Sequence, residues 1–156
     1  MKNKQKGFSL IELLIVVAII LIIAAIAIPN LLRSKMAANE ASAVGSMRTL
    51  NTACVTYSTT YGGFPPALTN LSPATSATST SADLIDSVLA SGSKSGYTFT
   101  YAPTSDDASG NVLAYSITAN PVTVGTTGQR SFYTDQSGVI RADATTTATS
   151  ASTPIS

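Results

Sequence analysis

The chain is predicted to be α+β, with one long N-terminal helix over about residues 8–61 and a small antiparallel β-sheet head packed on the helix's C-terminal half. Three observations predict this. Apolar residues run unbroken from Leu13 to Ile28, enough with their flanks for a helix that crosses a hydrocarbon core. Beyond Pro29, the residues Met47, Leu50, Cys54, Tyr57 and Tyr61 recur at alternating helical steps and draw one apolar stripe, with Arg48, Asn51 and Thr52 off it. Later stretches such as "GYTFTYAP" alternate large apolar with small residues, the period of a half-buried strand.

The first element is basic, then apolar. Lys2, Lys4 and Lys6 precede the run from Phe8 to Ile28. A cleaved secretory signal would have a shorter apolar core and a better small-residue cleavage site than "AAIAIPN" offers. A membrane-spanning helix fits the length, and the lysines would hold its N-terminus in the cytoplasm. Glu12 is the anomaly. A carboxylate inside an apolar span costs a few kcal/mol unless it reaches the interface or finds a partner. It could simply snorkel to the headgroups. A plain anchor, however, gains nothing from it.

The stretch "KGFSLIELLIVVAII" closely resembles the class III signal of type IV pilins and type II secretion pseudopilins, over about the first 35 residues. The resemblance implies a type IV pilin fold. It also implies a prepilin peptidase that cuts between Gly7 and Phe8 and N-methylates the new Phe8 amino group. In the assembled homo-oligomeric helical filament, Glu12 of one subunit would then face the amino terminus of a neighbour, where low dielectric strengthens the pair. The implied precursor is a single-pass inner-membrane protein handed to the pilus assembly machinery. The mature form is expected in an extracellular pilus serving adhesion or motility. The alternative is a major pseudopilin in a short periplasmic pseudopilus, since "TYSTTYGGFPPALTNL" resembles the segment after the helix in that group. A minor pilin specialised for adhesion or DNA capture is a third reading.

Pro29 removes a backbone donor and is expected to kink or open the helix locally. Gly62-Gly63 and Pro65-Pro66 should stop it. A Ser/Thr/Ala-rich loop at 72–82 and a short helix around Leu84–Leu89 come next. "GYTFTYAP" and "VLAYSITA" read as strands across the turn "SDDASGN", and "QRSFYTDQSGVIRAD" reads as a hairpin. The closing stretch 143–156 lacks apolar bulk and is expected to be a flexible tail. The expected divisions are a leader at 1–7, a membrane and filament-core helix at 8–29, its amphipathic continuation at 30–61, a β-rich head at 62–142 and the tail.

Composition limits the chemistry. The formal charge is +1, only 11% of residues are charged, and acids outnumber bases beyond the leader, so no nucleic-acid partner is expected. There is no His and a single Cys, which excludes an internal disulfide and leaves no basis for a Cys/His metal site or for a Ser-His or Cys-His nucleophile. Neither catalysis nor a cofactor is expected. The single Cys also departs from pilins that close a C-terminal loop by disulfide. Cys54 falls in the apolar stripe and reads as a core residue. Asp106-Asp107 reads as a turn rather than a calcium loop, Asp135 and Asp143 as exposed, and the spaced strand aromatics among the six Tyr and four Phe as core.

Overall fold

The computed structural model describes residues 7–155, apart from the side chain of Ser105. Helix α1 spans Leu10–Tyr61 and carries two hydrophobic patterns in succession. The chain divides into two units at Lys35 and Met36. In the first unit every face of the helix is apolar from Leu13 to Ile28, and none of its most hydrophobic window is buried. It is long and apolar enough to cross a membrane. In the second unit the pattern becomes one-sided. Met47, Leu50, Cys54 and Tyr57 are buried, as the stripe predicts, with Ala43 and Ala53 beside them, whereas Tyr61, the last member of the stripe, is half-buried. The helix ends at Tyr61, where Gly62 takes a φ of 83° and its N–H donates to the Ser58 carbonyl at 3.0 Å. A side chain at that conformation would be strained, so glycine stops the helix there.

The rest of the second unit is a 3-10 turn at Leu68–Leu71, a one-turn helix α2 at Ser87–Ala90 and a six-stranded antiparallel sheet. The strands are β1 Ser93–Lys94, β2 Tyr97–Asp106, β3 Val112–Pro121, β4 Ser131–Asp135, β5 Arg141–Asp143 and β6 Thr153–Pro154. They lie in sequence order, each paired with the next. Alternation sets the buried face: Tyr97 and Phe99 on β2, and Tyr115, Ile117 and Ala119 on β3, join the α1 stripe with Phe132 and Ile140 in one core. The predicted short helix is present but begins later, because Asp86 caps it by accepting from the Leu89 N–H at 2.9 Å.

Polar side chains tie α1 to the sheet at places the stripe does not show. The Asn39 amide donates to the Thr127 carbonyl at 2.8 Å. Asn51, off the stripe in sequence, donates to Thr134 Oγ1 at 2.9 Å and accepts from the Tyr115 hydroxyl at 3.1 Å. Thr134 and Tyr115 are buried, and this network satisfies them. Glu40 Oε1 accepts from the Gln129 N–H at 2.9 Å and the Arg130 N–H at 3.2 Å. Its Oε2 accepts from Arg130 Nε at 2.8 Å. Gly128 is required beside this clamp, because a Cβ there would collide with the Tyr97 hydroxyl group that donates to the Arg130 carbonyl.

The stretch 143–156 was expected to be flexible, and over the described residues 143–155 the structure differs. Ser131 Oγ donates to the Thr146 carbonyl at 2.7 Å and accepts the Ala148 N–H at 2.8 Å. Ala148 is buried, and β6 closes the sheet edge with Arg141 Nη1 donating to the Ser152 carbonyl at 3.1 Å. Backbone pairing substitutes for the missing apolar bulk.

Burial raises the Glu40 carboxyl pKa, but the bonds from Gln129 and Arg130 outweigh it and hold the group below its ordinary 4.5. Glu40 therefore adds stability above its unfolded pKa and loses it as pH falls through the lower folded value. Glu40→Gln should cost about 1 kcal/mol at pH 7, because the Arg130 side chain is partly exposed and solvent screens the pair. Thermal melts of both chains should differ at pH 7 and converge in acid; a gap of equal size at pH 3 would refute the assignment.

Candidate functional site: the amino-terminal segment

Gly7, Phe8 and Ser9 lie outside the helix, and α1 begins at Leu10. Phe8 is largely exposed. Lys2, Lys4 and Lys6, and the rest of the expected leader before Gly7, lie outside the described residues. Ser9 occupies the N-cap position. Its carbonyl accepts the Leu13 N–H at 3.2 Å, the first turn's bond, and its Oγ accepts the Ile11 N–H at 3.4 Å. Glu12 Oε2 reaches back and accepts the Ser9 N–H at 2.9 Å.

Glu12 thereby makes its half of a capping box on Ser9-x-x-Glu12, while the Ser9 hydroxyl accepts the Ile11 N–H rather than that of Glu12. Sequence reasoning treated Glu12 as a charge awaiting an external partner and missed this internal one, although the spacing itself is the signal. It matters because a helix start in an apolar medium leaves backbone N–H groups without water. Glu12 satisfies one of them. The same contact places its carboxylate at the Phe8–Ser9 peptide, one residue beyond the Gly7–Phe8 bond.

Pro29 lies within α1, which stays helical through it. Pro has no N–H to donate to the Ala25 carbonyl, so the ladder lacks one bond at that turn. A little further on, Ser34 Oγ donates to the Asn30 carbonyl at 3.0 Å.

The other candidate residues take structural roles. Asp107 Oδ1 accepts the Ser109 and Asn111 N–H groups, each at 2.8 Å, and so forms the predicted turn. Asp135 accepts the Ser137 N–H at 2.9 Å. Asp143 accepts the Thr145 and Thr146 N–H groups, which hold its carboxyl down at about 2. No group of three or more potential metal ligands occurs among the described residues. Cys54 is buried beside Tyr115, and burial pushes its thiol up to about 12. A thiol that stays protonated is a poor nucleophile.

The prokaryotic N-terminal methylation motif matches residues 2–28. The type IV major fimbrial protein FimA of Dichelobacter nodosus is 53% identical over 58 residues, covering 35% of this chain and 37% of that protein. The type IV wide pilus major component PilA4 of Thermus thermophilus is 62% identical over 40 residues, 26% of this chain and 30% of the relative. The type IV major pilin PilA of Myxococcus xanthus is 48% identical over 50 residues, 32% and 23% respectively. No solved structure matches the chain. The match spans little more than a third of the fimbrial proteins' length. The matches show that the N-terminal part of this chain is similar to type IV pilins, and its long helix followed by an antiparallel sheet is a pilin-like architecture.

The Cys54 thiol should resist alkylation by iodoacetamide at pH 8 in the folded protein and react only after unfolding. Mass spectrometry of native and denatured samples reads this directly. Full labelling of the native chain within minutes would contradict the buried placement.

Proposed function

We propose that this chain is a prepilin, the precursor of a structural subunit of a type IV pilus-like filament. The observation that carries the reading is the methylation motif over residues 2–28, set on a helix whose apolar faces nothing covers. Apolar surface of that extent needs a lipid or protein partner. The named relatives are pilus subunits, which favours a surface pilus over a periplasmic pseudopilus.

In this reading residues 1–7 are a leader held in the cytoplasm while 8–29 span the inner membrane. A prepilin peptidase cuts the Gly7–Phe8 bond, which lies ahead of the capped helix, and methylates Phe8. Assembly machinery then draws 8–29 into a filament core, continued by the amphipathic 30–61, and the head over 62–142 takes the surface. The chain's part is structural; the enzymes act on it.

The capping box gives Glu12 two successive tasks. Before assembly it covers a backbone donor of its own helix, which lowers the cost of holding a carboxylate in lipid. Cleavage then creates a cation at Phe8, and the carboxylate can be shared with the amino terminus of a neighbouring subunit. A buried amine left without that partner would be heavily penalised, so the pair favours one register.

Intact-mass analysis of assembled material should show a chain beginning at methylated Phe8. Glu12→Gln keeps the size and removes the charge. That variant should still be cleaved, since the Lys-rich leader and Gly7 are untouched, but it should accumulate in the membrane with few filaments. Retention of residues 1–7 in filaments would sink the processing step. Undiminished yield from Glu12→Gln would sink the assembly role alone.

The missing bond opposite Pro29 makes that turn the softest part of α1 in this reading, able to open when subunits pack or bear load. A filament map should show lengthened or broken helical bonds near residues 26–31. Regular helix through that stretch would refute it.

A further inference from the structure

Where α1 ends, the second unit forms a cleft of about 160 Å³ that the filament reading does not use. Its apolar walls are aromatic. The Tyr57 and Tyr61 rings lie 4.6 Å apart and tilted by 46°, and Phe64 and Pro66 contribute further apolar surface. Asn111 supplies a side-chain amide.

The cleft is held firmly. The Tyr57 hydroxyl donates to the Ser79 carbonyl at 2.6 Å. The Phe64 N–H donates to the Val112 carbonyl at 2.8 Å, and Phe64 packs edge-on against Tyr115. Gly63 allows a close approach, since a Cβ there would lie 3.0 Å from the Asn111 Cβ and 3.2 Å from the Val112 carbonyl oxygen.

Two polar atoms remain uncommitted. Asn111 Nδ2 is spent on Asp107 Oδ2 at 3.0 Å, but its Oδ1 accepts nothing among the described residues. The Tyr61 hydroxyl likewise has no partner among them, in contrast to the hydroxyls of Tyr57, Tyr97, Tyr101 and Tyr115.

We propose that this cleft binds one neutral pyranose ring, the terminal sugar of a glycan. Aromatic faces are electron-rich and accept the weakly polarised C–H face of a sugar. The Tyr61 hydroxyl and Asn111 Oδ1 offer a donor and an acceptor for ring hydroxyls. None of the lining side chains is charged, which disfavours an ionic ligand. An aromatic cage for a quaternary ammonium would want a nearby counter-charge, and the Asp107 carboxylate is spent on its own turn. The volume falls below that of pockets for drug-sized ligands and matches a single ring better than a longer segment. The site lies wholly in the second unit and stands independently of the processing and assembly reading.

The test uses the full-length chain in a detergent without a sugar headgroup. Methyl glycosides of glucose, galactose, mannose, N-acetylglucosamine and N-acetylgalactosamine are titrated, with choline chloride alongside. Saturation-transfer NMR and tyrosine fluorescence report binding, the latter uncomplicated because the chain has no Trp. At least one glycoside should bind with a dissociation constant on the order of 1 mM, as expected of a single ring. Tyr61→Phe keeps the ring and should weaken binding about three- to tenfold by removing one hydrogen bond. Tyr61→Ala should abolish it while the thermal melt stays cooperative. Three results would overturn the proposal: no binding by any glycoside, preferential binding of choline, or unchanged affinity in both Tyr61 variants.

Discussion

One constraint governs the molecule: a single helix meets two environments in succession and must be patterned for both. From Leu13 to Ile28 its side chains are apolar all round, which suits lipid or a bundle of like helices and nothing aqueous. From Ala43 onward only one stripe is apolar, and that stripe is the floor on which the sheet is built. Remove it and Tyr97, Tyr115 and Phe132 lose the surface they pack against. The transition between the patterns falls near Pro29 and the Arg33–Lys35 pair of cations, where the apolar run stops.

On that stripe, hydrophobic packing sets which face of the sheet is covered, and polar ties set the register. Glu40, Asn39 and Asn51 each reach a partner more than eighty residues away in sequence. Apolar contact alone is tolerant of sliding. A carboxylate that gathers two backbone N–H groups and a guanidinium is not, because any shift would leave buried groups without partners. The Glu40 clamp also fixes the β3–β4 connection, with Gly128 admitting the Tyr97 ring at the same spot.

Elements that depend on local periodicity were legible in the sequence. The stripe from Met47 to Tyr57, the Gly62 stop, the alternation along β2 and β3 and the Asp107 turn are all written in neighbouring residues. The long-range ties were not, since nothing near Asn51 announces Thr134. The order of 143–155 was missed for a related reason: hydropathy counts apolar atoms, whereas that stretch is held by backbone groups and the Ser131 hydroxyl. At the amino terminus the specific motif drew the eye to Gly7, Phe8 and Glu12, while the Ser9–Glu12 box, equally visible in spacing, was overshadowed by it. The cleft beside Tyr61 needed three dimensions, because its walls come from residues 57–66, 79 and 110–112.

The single, buried cysteine gives the pinned C-terminal stretch a further meaning. Closure of a chain end by disulfide would make the fold conditional on an oxidising compartment and on enzymes that form the bond. Here the end is closed by Ser131, Arg141 and the β5–β6 ladder, none of which changes with redox state. The head can therefore reach its final form without an oxidative maturation step, and thiol reductants leave that closure untouched. Its integrity depends instead on a few hydrogen bonds of the Ser131 hydroxyl, the Arg141 guanidinium and the β5–β6 backbone.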